Sequence, residues 1–149
     1  MMKKLFLCAV MIALAASSSF GQTNPSKRKT INIPRPVANL PFSDAVLVGN
    51  TMYLSGRLGL DPKTGKVPAE VKDELRLLLG DIKAVLAKGG MTMDNLVYVQ
   101  VFCPDLSLYG AFNEAYRAHF RKDFPARAFV GSGPLLFGAR FEIQAIAVK

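Results

Sequence analysis

Two stretches of helical periodicity alternate with strand-like stretches, and this order limits the fold more than any other feature of the chain. From Pro68 the apolar residues recur at alternating steps of four and three, which predicts an amphipathic helix that ends at Gly89-Gly90. A second stripe at helical spacing predicts another helix, which Phe124-Pro125 terminates. The two stripes are Val71, Leu75, Leu78, Ile82 and Val85, and then Leu108, Phe112, Tyr116 and Phe120.

Strand-like patterns surround both helices, so the predicted order is ββαβαββ. The first two strands form a hairpin across Gly49-Asn50, which supplies the positive φ of a tight turn. Because strands joined through helices form crossover units, the order predicts a two-layer α+β fold, with one mixed sheet and both helices on a single face. The predicted strands are Ala45 to Val48, Thr51 to Ser55, Leu96 to Cys103, Arg127 to Gly131 and Ala139 to Val148.

The second face of this sheet has no helix of its own. A face without helices is either solvated or docked on another subunit. After residue 21 the chain contains a single cysteine, Cys103, so an internal disulfide is excluded and docking into a closed oligomer is favoured. On the terminal strand this face changes from polar to apolar through Arg140, Glu142, Gln144, Ile146 and Val148.

The N-terminal residues have the pattern of a signal peptide. Lys3 and Lys4 precede a 12-residue apolar run, and small residues follow it. A run of 12 is well short of the ~20 residues that span a bilayer, so a permanent membrane helix is the weaker alternative. We expect cleavage after Gly21, export to the periplasm or the medium, and no stable membrane insertion of the cleaved chain. The predicted organisation is a signal peptide at 1–21, a basic flexible linker at 22–40 and a folded domain at 41–149.

The positive charge is concentrated outside the predicted domain. The formal net charge is +8, but residues 41–149 contain 13 basic and 11 acidic side chains. Nucleic-acid binding by a folded domain needs basic residues gathered on one face, and the sequence has no such stripe. We therefore expect no specific nucleic-acid partner. The linker is interpreted as a solvated segment, with weak attraction to anionic surfaces as the alternative.

The common catalytic constellations are missing from the sequence. His119 is the only histidine, and its helical position is more typical of a surface or packing residue. Cys103 ends an apolar strand, which predicts a buried structural thiol. Neither His-x-x-His nor Cys-x-x-Cys occurs, so no metal site is predicted. The glycines between Gly131 and Gly138 lack the spacing of a nucleotide-binding loop and are interpreted as shaping a bend.

Several ordered motifs resemble those of the Rid family, the reactive intermediate deaminases also called YjgF-like proteins. The resemblance covers residues from about 40 to 149. It rests on Leu54-Ser55-Gly56, on the turn Asp61-Pro62-Lys63-Thr64-Gly65 and on Asn113-Glu114-Ala115-Tyr116. Pro125-Ala126-Arg127 resembles the family's signature arginine segment, and Glu142 follows 15 positions later in a Glu-Ile-x-Ala-Ile-Ala-Val ending.

The resemblance implies a chorismate-mutase-like fold, assembled as a homotrimer with clefts between subunits. In active members an arginine holds the carboxylate of a small 2-imino acid, and a water polarised by a glutamate adds to the imine carbon. Ammonia and a 2-oxo acid are released, and no cofactor is required. By resemblance, Arg127 is the carboxylate anchor and Glu142 the water-positioning base, with a salt bridge between these two as the alternative. Ser55, Gly56 and Asn113 match family positions and are expected to bind substrate, with turn and helix-packing roles as the alternative.

Departures from the family pattern add candidate residues. Phe42 and Asp44 stand where typical deaminases have Tyr and Gln, and Phe129 stands where many have Cys. Arg57 follows Ser-Gly where Gln is typical. It is interpreted either as a second cation for a larger or dianionic ligand or as an exposed arginine beside a turn. Phe42, Arg57 and Phe129 are therefore candidates for substrate binding.

Three functions are consistent with the sequence, and they belong to different classes. The favoured one is an exported hydrolytic deaminase of small 2-imino or enamino acids that uses Arg127 and Glu142. The second is non-catalytic binding of a small carboxylate in the same cleft. The third is a structural or interaction protein that uses the basic segment 22–35.

Overall fold

A computed structural model describes residues 27–34, 40–121 and 123–149 of the chain. Within these residues the chain forms six strands and two α-helices, with short 3-10 turns between some of them. The strands are β1 (Lys29–Ile31), β2 (Ala45–Val48), β3 (Thr51–Leu58), β4 (Leu96–Cys103), β5 (Ala126–Gly131) and β6 (Glu142–Val148), and the helices are α1 (Val71–Lys88) and α2 (Tyr109–Arg117).

The strands form one mixed sheet in the order β1-β2-β3-β6-β4-β5. The β4–β5 pair is parallel, as the crossover through α2 requires, and the other neighbouring pairs are antiparallel. The terminal strand β6 therefore lies between β3 and β4 and separates the hairpin strands from the crossover unit. A register shift between Leu54 and Arg57 places Ser55 and Gly56 in a bulge of β3.

Both helices pack on the same face of the sheet and share its core. The stripe of α1 and two aromatic residues of α2, Phe112 and Tyr116, lie in one buried cluster with alternate residues of β3, β4 and β6. Each large apolar side chain buried here stabilises the fold by roughly 1.5–3 kcal/mol relative to an exposed one. The two-layer α+β prediction is confirmed. Fully buried members of the cluster include Met52, Leu75, Leu78, Ile82, Val85, Val99, Phe112, Phe141 and Ile143.

The opposite face, here called the open face, has three rows of residues that run across the strands. The first row is apolar: Ile146 of β6 pairs with Tyr53 of β3 on one side and with Tyr98 of β4 on the other. Gln144 and Gln100 form the next row, in which the two amides are hydrogen-bonded at 3.1 Å. The third row contains Glu142 between apolar neighbours, Leu58 of β3 and Phe102 of β4. Tyr53 and Tyr98 are 50 % and 37 % exposed in the single chain.

Part of the predicted linker belongs to the sheet, which corrects the boundary at residue 40. Lys29–Ile31 forms β1 and pairs antiparallel with β2, and Ile31 is buried in the core. Asp44 holds the following residues, because its Oδ2 accepts a hydrogen bond from Ile33 N at 2.8 Å and its own N–H donates to Asn32 Oδ1 at 3.0 Å. A three-residue edge strand is too short to give a periodic signal, so the sequence pattern missed it.

The last strand begins at Glu142 rather than at Ala139. The backbone N–H groups of Arg140 and Phe141 donate to Glu74 Oε1 instead of to a neighbouring strand. Glu74 is fully buried on α1 and also accepts from Arg140 Nε at 2.5 Å. The Glu74 carboxylate therefore binds the end of the loop and determines that β6 begins at Glu142.

The predicted signal peptide, 1–21, lies outside the described residues. Among the residues that the structure does describe, neither helix is both apolar enough and long enough to cross a membrane.

Candidate active site

Arg127 lies on the edge strand β5 and points toward α2. It pairs in register with Val99, a core residue, so its side chain leaves the sheet on the helix-covered face. Its Nη2 donates to Asn113 Oδ1 at 2.6 Å. Four aromatic rings surround the guanidinium, with Cζ-to-centroid distances of 5.8 Å to Tyr109, 5.4 Å to Phe112, 4.9 Å to Tyr116 and 6.0 Å to Phe129.

The charge of Arg127 has aromatic and amide partners but no carboxylate partner. Within the described part of the chain, no Asp or Glu lies within ion-pair distance of its guanidinium. Cation–π contacts contribute about 0.5–2 kcal/mol each and leave the formal charge in place. A half-buried guanidinium in such surroundings is suited to bind the carboxylate of a ligand through its fork of N–H donors.

Two tyrosines of α2 flank this guanidinium in different environments. Tyr116 is 3 % exposed, and its hydroxyl has no hydrogen-bond partner in the described structure. Burial raises the pKa of Tyr116 to about 12. Tyr109 is 48 % exposed, and its pKa is lowered by hydrogen bonding to the Asn113 side chain and by the positive charge of Arg127. The Tyr109 hydroxyl therefore belongs to the same polar group as Asn113 and Arg127.

Glu142 lies on the open face at the start of β6. Its neighbour Ile143 points into the core, so the alternation of the strand directs Glu142 the other way. Its carboxylate lies directly above the bulge of β3, where a Cβ at Gly56 would overlap Glu142 Oε1. Glycine at this position leaves the space that the carboxylate occupies.

Arg127 and Glu142 do not meet within one chain. Strand β4 separates β5 from β6, and Arg127 is in register with Val99 and Ala145 rather than with Glu142. The two side chains also leave the sheet on opposite faces. The alternative of a salt bridge between neighbouring strands is therefore wrong for the single chain, because it assumed that β5 and β6 are adjacent.

The structure places the remaining predicted site residues in different parts of the fold. Asn113 and Phe129 lie beside Arg127, and the Phe129 ring meets the Tyr109 ring edge-on at 5.1 Å. Ser55 lies next to Gly56, but its hydroxyl donates to the carbonyl of Asp44 at 3.1 Å. Phe42 precedes β2 and is 51 % exposed.

Sequence reasoning missed Tyr109 as a member of the site. The available signal was its spacing, because Tyr109 and Asn113 are one helical turn apart and so share a face of α2. The prediction for Cys103 is confirmed, since its thiol is buried and contacts the carbonyl of Asp105 at 3.0 Å. Burial raises the pKa of this thiol.

Comparison with known proteins identifies the family. The family profile described as Endoribonuclease L-PSP, which corresponds to the Rid or YjgF group, matches residues 32–149. The chain belongs to this family. It is 41 % identical to 2-iminobutanoate/2-iminopropanoate deaminase of Capra hircus over 115 residues, which cover 76 % of this chain and 84 % of that protein.

Solved Rid structures share the fold described above. RidA from a Psychrobacter species is similar with a TM-score of 0.75 and 34 % identity, over 81 % of this chain and 99 % of that one. Escherichia coli TdcF with bound serine is similar with a TM-score of 0.74 and 32 % identity, over 81 % of this chain and 98 % of that one. The YjgF-like α+β fold is therefore confirmed.

Arg57 and Asp44, which both depart from the typical Rid sequence, contact each other in the structure. This contact corrects the interpretation of Arg57. Arg57 is 2 % exposed, donates from Nη1 to Asp44 Oδ1 at 2.8 Å and from Nε to Asp81 Oδ2 at 2.6 Å. It is neither exposed beside a turn nor open to a ligand. The bulge of β3 turns it toward α1, and Asp81 of α1 together with Asp44 before β2 neutralises it, so its role is structural.

Proposed function

We propose that this protein hydrolyses small 2-imino acids to 2-oxo acids and ammonia. Its relatives include proteins named 2-iminobutanoate/2-iminopropanoate deaminase at about 40 % identity, which supports imine deamination in general. The observation that carries the proposal for this chain is the Arg127 group, in which a half-buried guanidinium has an amide and four rings around it. The bound serine of TdcF shows that one relative accepts a ligand with an α-carboxylate.

In this proposal Arg127 binds the carboxylate of the substrate and so places the adjacent imine carbon. Asn113 holds one Nη of the guanidinium, which leaves its other N–H groups for the ligand. Such fixed, bidentate recognition converts binding energy into orientation of the reacting carbon.

Glu142 then positions a water and accepts its proton as the oxygen adds to the imine carbon. Glu142 returns this proton to the imine nitrogen, which gives a carbon with OH and NH2 substituents, and transfer of the hydroxyl proton to the same nitrogen allows the C–N bond to break. Ammonia leaves, and the carbonyl of the 2-oxo acid forms as the hydroxyl loses its proton. The net reaction is hydrolysis without electron transfer, so no redox cofactor enters the proposal.

Because Arg127 and Glu142 lie on opposite faces of one sheet, a site that uses both requires two copies of the chain. The open face supports this arrangement, since its row of Tyr53, Ile146 and Tyr98 is apolar and lacks a covering layer within the described chain. Docking of these faces buries the apolar row and brings Glu142 of one copy toward a neighbour. We propose a homotrimer with the site in the cleft between subunits.

The proposal includes the cellular location suggested by the N-terminal sequence. The pattern in residues 1–21 supports export, which places the deaminase in the periplasm or the medium. Its substrates there are imino acids produced or released outside the cytoplasm. Detection of the protein in the periplasmic or extracellular fraction, cut near residue 21, tests this part independently.

The central test is ammonia release by the chain from residue 22 onward, which contains every described residue. The substrates are freshly generated 2-imino acids, and the variants are Arg127→Ala and Glu142→Gln. Arg76→Ala is the matched control, because Arg76 is exposed and pairs only weakly with Asp73 on α1. We expect turnover to be lost in the first two variants and retained in the control.

Light scattering on the same samples separates loss of assembly from loss of chemistry. If the protein is a folded trimer that binds a 2-oxo acid without turnover, its function is non-catalytic carboxylate binding rather than deamination. Robust RNA cleavage that depends on Arg127 would contradict both functions.

A further inference from the structure

Two contacts hold the Tyr109 ring beside the Arg127 guanidinium. Its ring meets the Phe129 ring edge-on, with centroids 5.1 Å apart and an interplanar angle of 87°. The Arg127 Cζ lies 5.8 Å from its ring centroid. Tyr109 is nevertheless 48 % exposed, whereas Phe112 and Tyr116 beneath it are buried. It is therefore the ring of this group that is most accessible to a ligand.

The hydrogen bonds in this group have a defined direction. Arg127 donates to Asn113 Oδ1, which leaves the Asn113 amide nitrogen as a donor. Asn113 and Arg127 both lower the pKa of the Tyr109 hydroxyl, and a guanidinium can only donate a hydrogen bond. Arg127 therefore cannot accept the phenolic proton, and the rotatable O–H of the half-exposed Tyr109 can turn toward a ligand bound at Arg127. This proton is available to a group that approaches from solvent.

A ligand carboxylate at Arg127 supplies a charged acceptor for this O–H. We propose that the Tyr109 hydroxyl is a second hydrogen-bond donor to the substrate carboxylate, beside Arg127. The proposal rests on the function proposed above and makes it more specific, because the site then selects a free carboxylate through one charged and one neutral donor. An ester or amide in that position loses the charge that both donors stabilise.

The test compares Tyr109→Phe with Arg76→Ala, the exposed α1 variant that also serves as the control for ammonia release. Steady-state ammonia release gives kcat and KM, and calorimetry with 2-oxobutanoate gives Kd. We expect Tyr109→Phe to raise KM and Kd about 10-fold with little change in kcat, because a lost hydrogen bond to a charged group has that effect. Arg76→Ala is expected to behave as the parent protein.

A pH profile distinguishes a binding hydroxyl from a purely structural one. The charged groups that act on Tyr109 are Arg127 of β5 and Arg117 of its own helix, and both favour the phenolate. When the phenol ionises, it loses the donor proton and repels the carboxylate. The affinity for 2-oxobutanoate is therefore expected to fall at alkaline pH in the parent protein, with a smaller fall in Tyr109→Phe.

The outcomes separate this inference from the proposed function. Absence of turnover in the parent protein removes the deaminase, while calorimetry still decides the role of Tyr109. Equal Kd values and equal pH profiles for Tyr109→Phe and Arg76→Ala would overturn the inference even if deamination is confirmed. Absence of both turnover and 2-oxobutanoate binding would overturn both.

Discussion

Arg57 and Asp44 form an ion pair in the interior, with Nη1 and Oδ1 2.8 Å apart and both side chains almost completely buried. Asp81 of α1 neutralises the same guanidinium. Because Arg57→Ala removes a buried cation that contacts both Asp44 and Asp81, we expect it to lower the free energy of unfolding by about 3–5 kcal/mol. Urea denaturation measures the loss. The exposed Arg76→Ala is the control, with an expected change of about 0.5 kcal/mol or less.

A double variant tests the pairing itself. Asp44→Gln together with Arg57→Gln restores the amides of the typical family pattern and removes both charges of the pair. It is expected to be more stable than Arg57→Ala. An equal loss in Arg57→Ala and Arg76→Ala would contradict the buried pair.

Gly56 leaves the space that the Glu142 carboxylate occupies, so Gly56→Ala is expected to displace that carboxylate. A displacement of about 1 Å at a catalytic group costs on the order of 100-fold in rate, and we expect kcat for ammonia release to fall by about that factor. Gly133→Ala is the matched control, because nothing lies within 4 Å of its added Cβ. Retention of full activity in Gly56→Ala would show that Glu142 is not required at this position.

Asn113→Asp places a carboxylate next to Arg127, where the structure has an amide oxygen at 2.6 Å. The new ion pair competes with the ligand, so KM and the Kd for a 2-oxo acid are expected to rise at least about 10-fold. The fold should be retained, since one oxygen replaces the amide nitrogen at nearly the same size. Circular dichroism checks the fold. Unchanged affinity in a folded Asn113→Asp protein would argue against carboxylate binding by Arg127.

Much of the fold follows from local patterns in the sequence. The hairpin at Gly49-Asn50 and the stripe from Val71 to Val85 were predicted because turn chemistry and helical period involve residues close in the chain. The face of β6 was also predicted, since strict alternation from Glu142 to Val148 directs Ile143 inward. Family resemblance then selected Arg127 and Asn113, which the structure brings into contact.

The features that the sequence did not predict depend on contacts between residues far apart in the chain. The partners of Arg57 lie 13 and 24 residues away, and no local period indicates that a bulge turns this side chain toward α1. Likewise, the strand order separates Arg127 from Glu142, and a sequence pattern does not specify that β6 lies between β3 and β4. Tyr109 was missed because it lies beside the apolar stripe of α2 rather than in it, and nothing local in the sequence places it next to Arg127 of β5.

The buried hydroxyl of Tyr116 predicts an alkaline effect on stability. Its pKa of about 12 exceeds the ordinary value of 10, so the folded protein retains this proton after the unfolded chain has lost it. Ionisation of this group therefore leaves stability unchanged below pH 10 and lowers it as the pH rises toward 12. Tyr116→Phe should weaken this decline. At pH 8 it is expected to be neutral or to stabilise by about 1 kcal/mol, because the hydroxyl has no partner in the described chain. Urea denaturation at several pH values measures both effects, and a destabilised variant at pH 8 would contradict the second expectation.

The placement of Arg127 and Glu142 on opposite sides of one sheet has a genetic consequence. If each site takes its arginine from one copy and its glutamate from the next, two alleles that are individually inactive can complement each other. Chains carrying Arg127→Ala and chains carrying Glu142→Gln, refolded together in equal amounts, would assemble about one intact site in four. A cell that expresses both damaged genes would then recover the activity that it lacks with either gene alone.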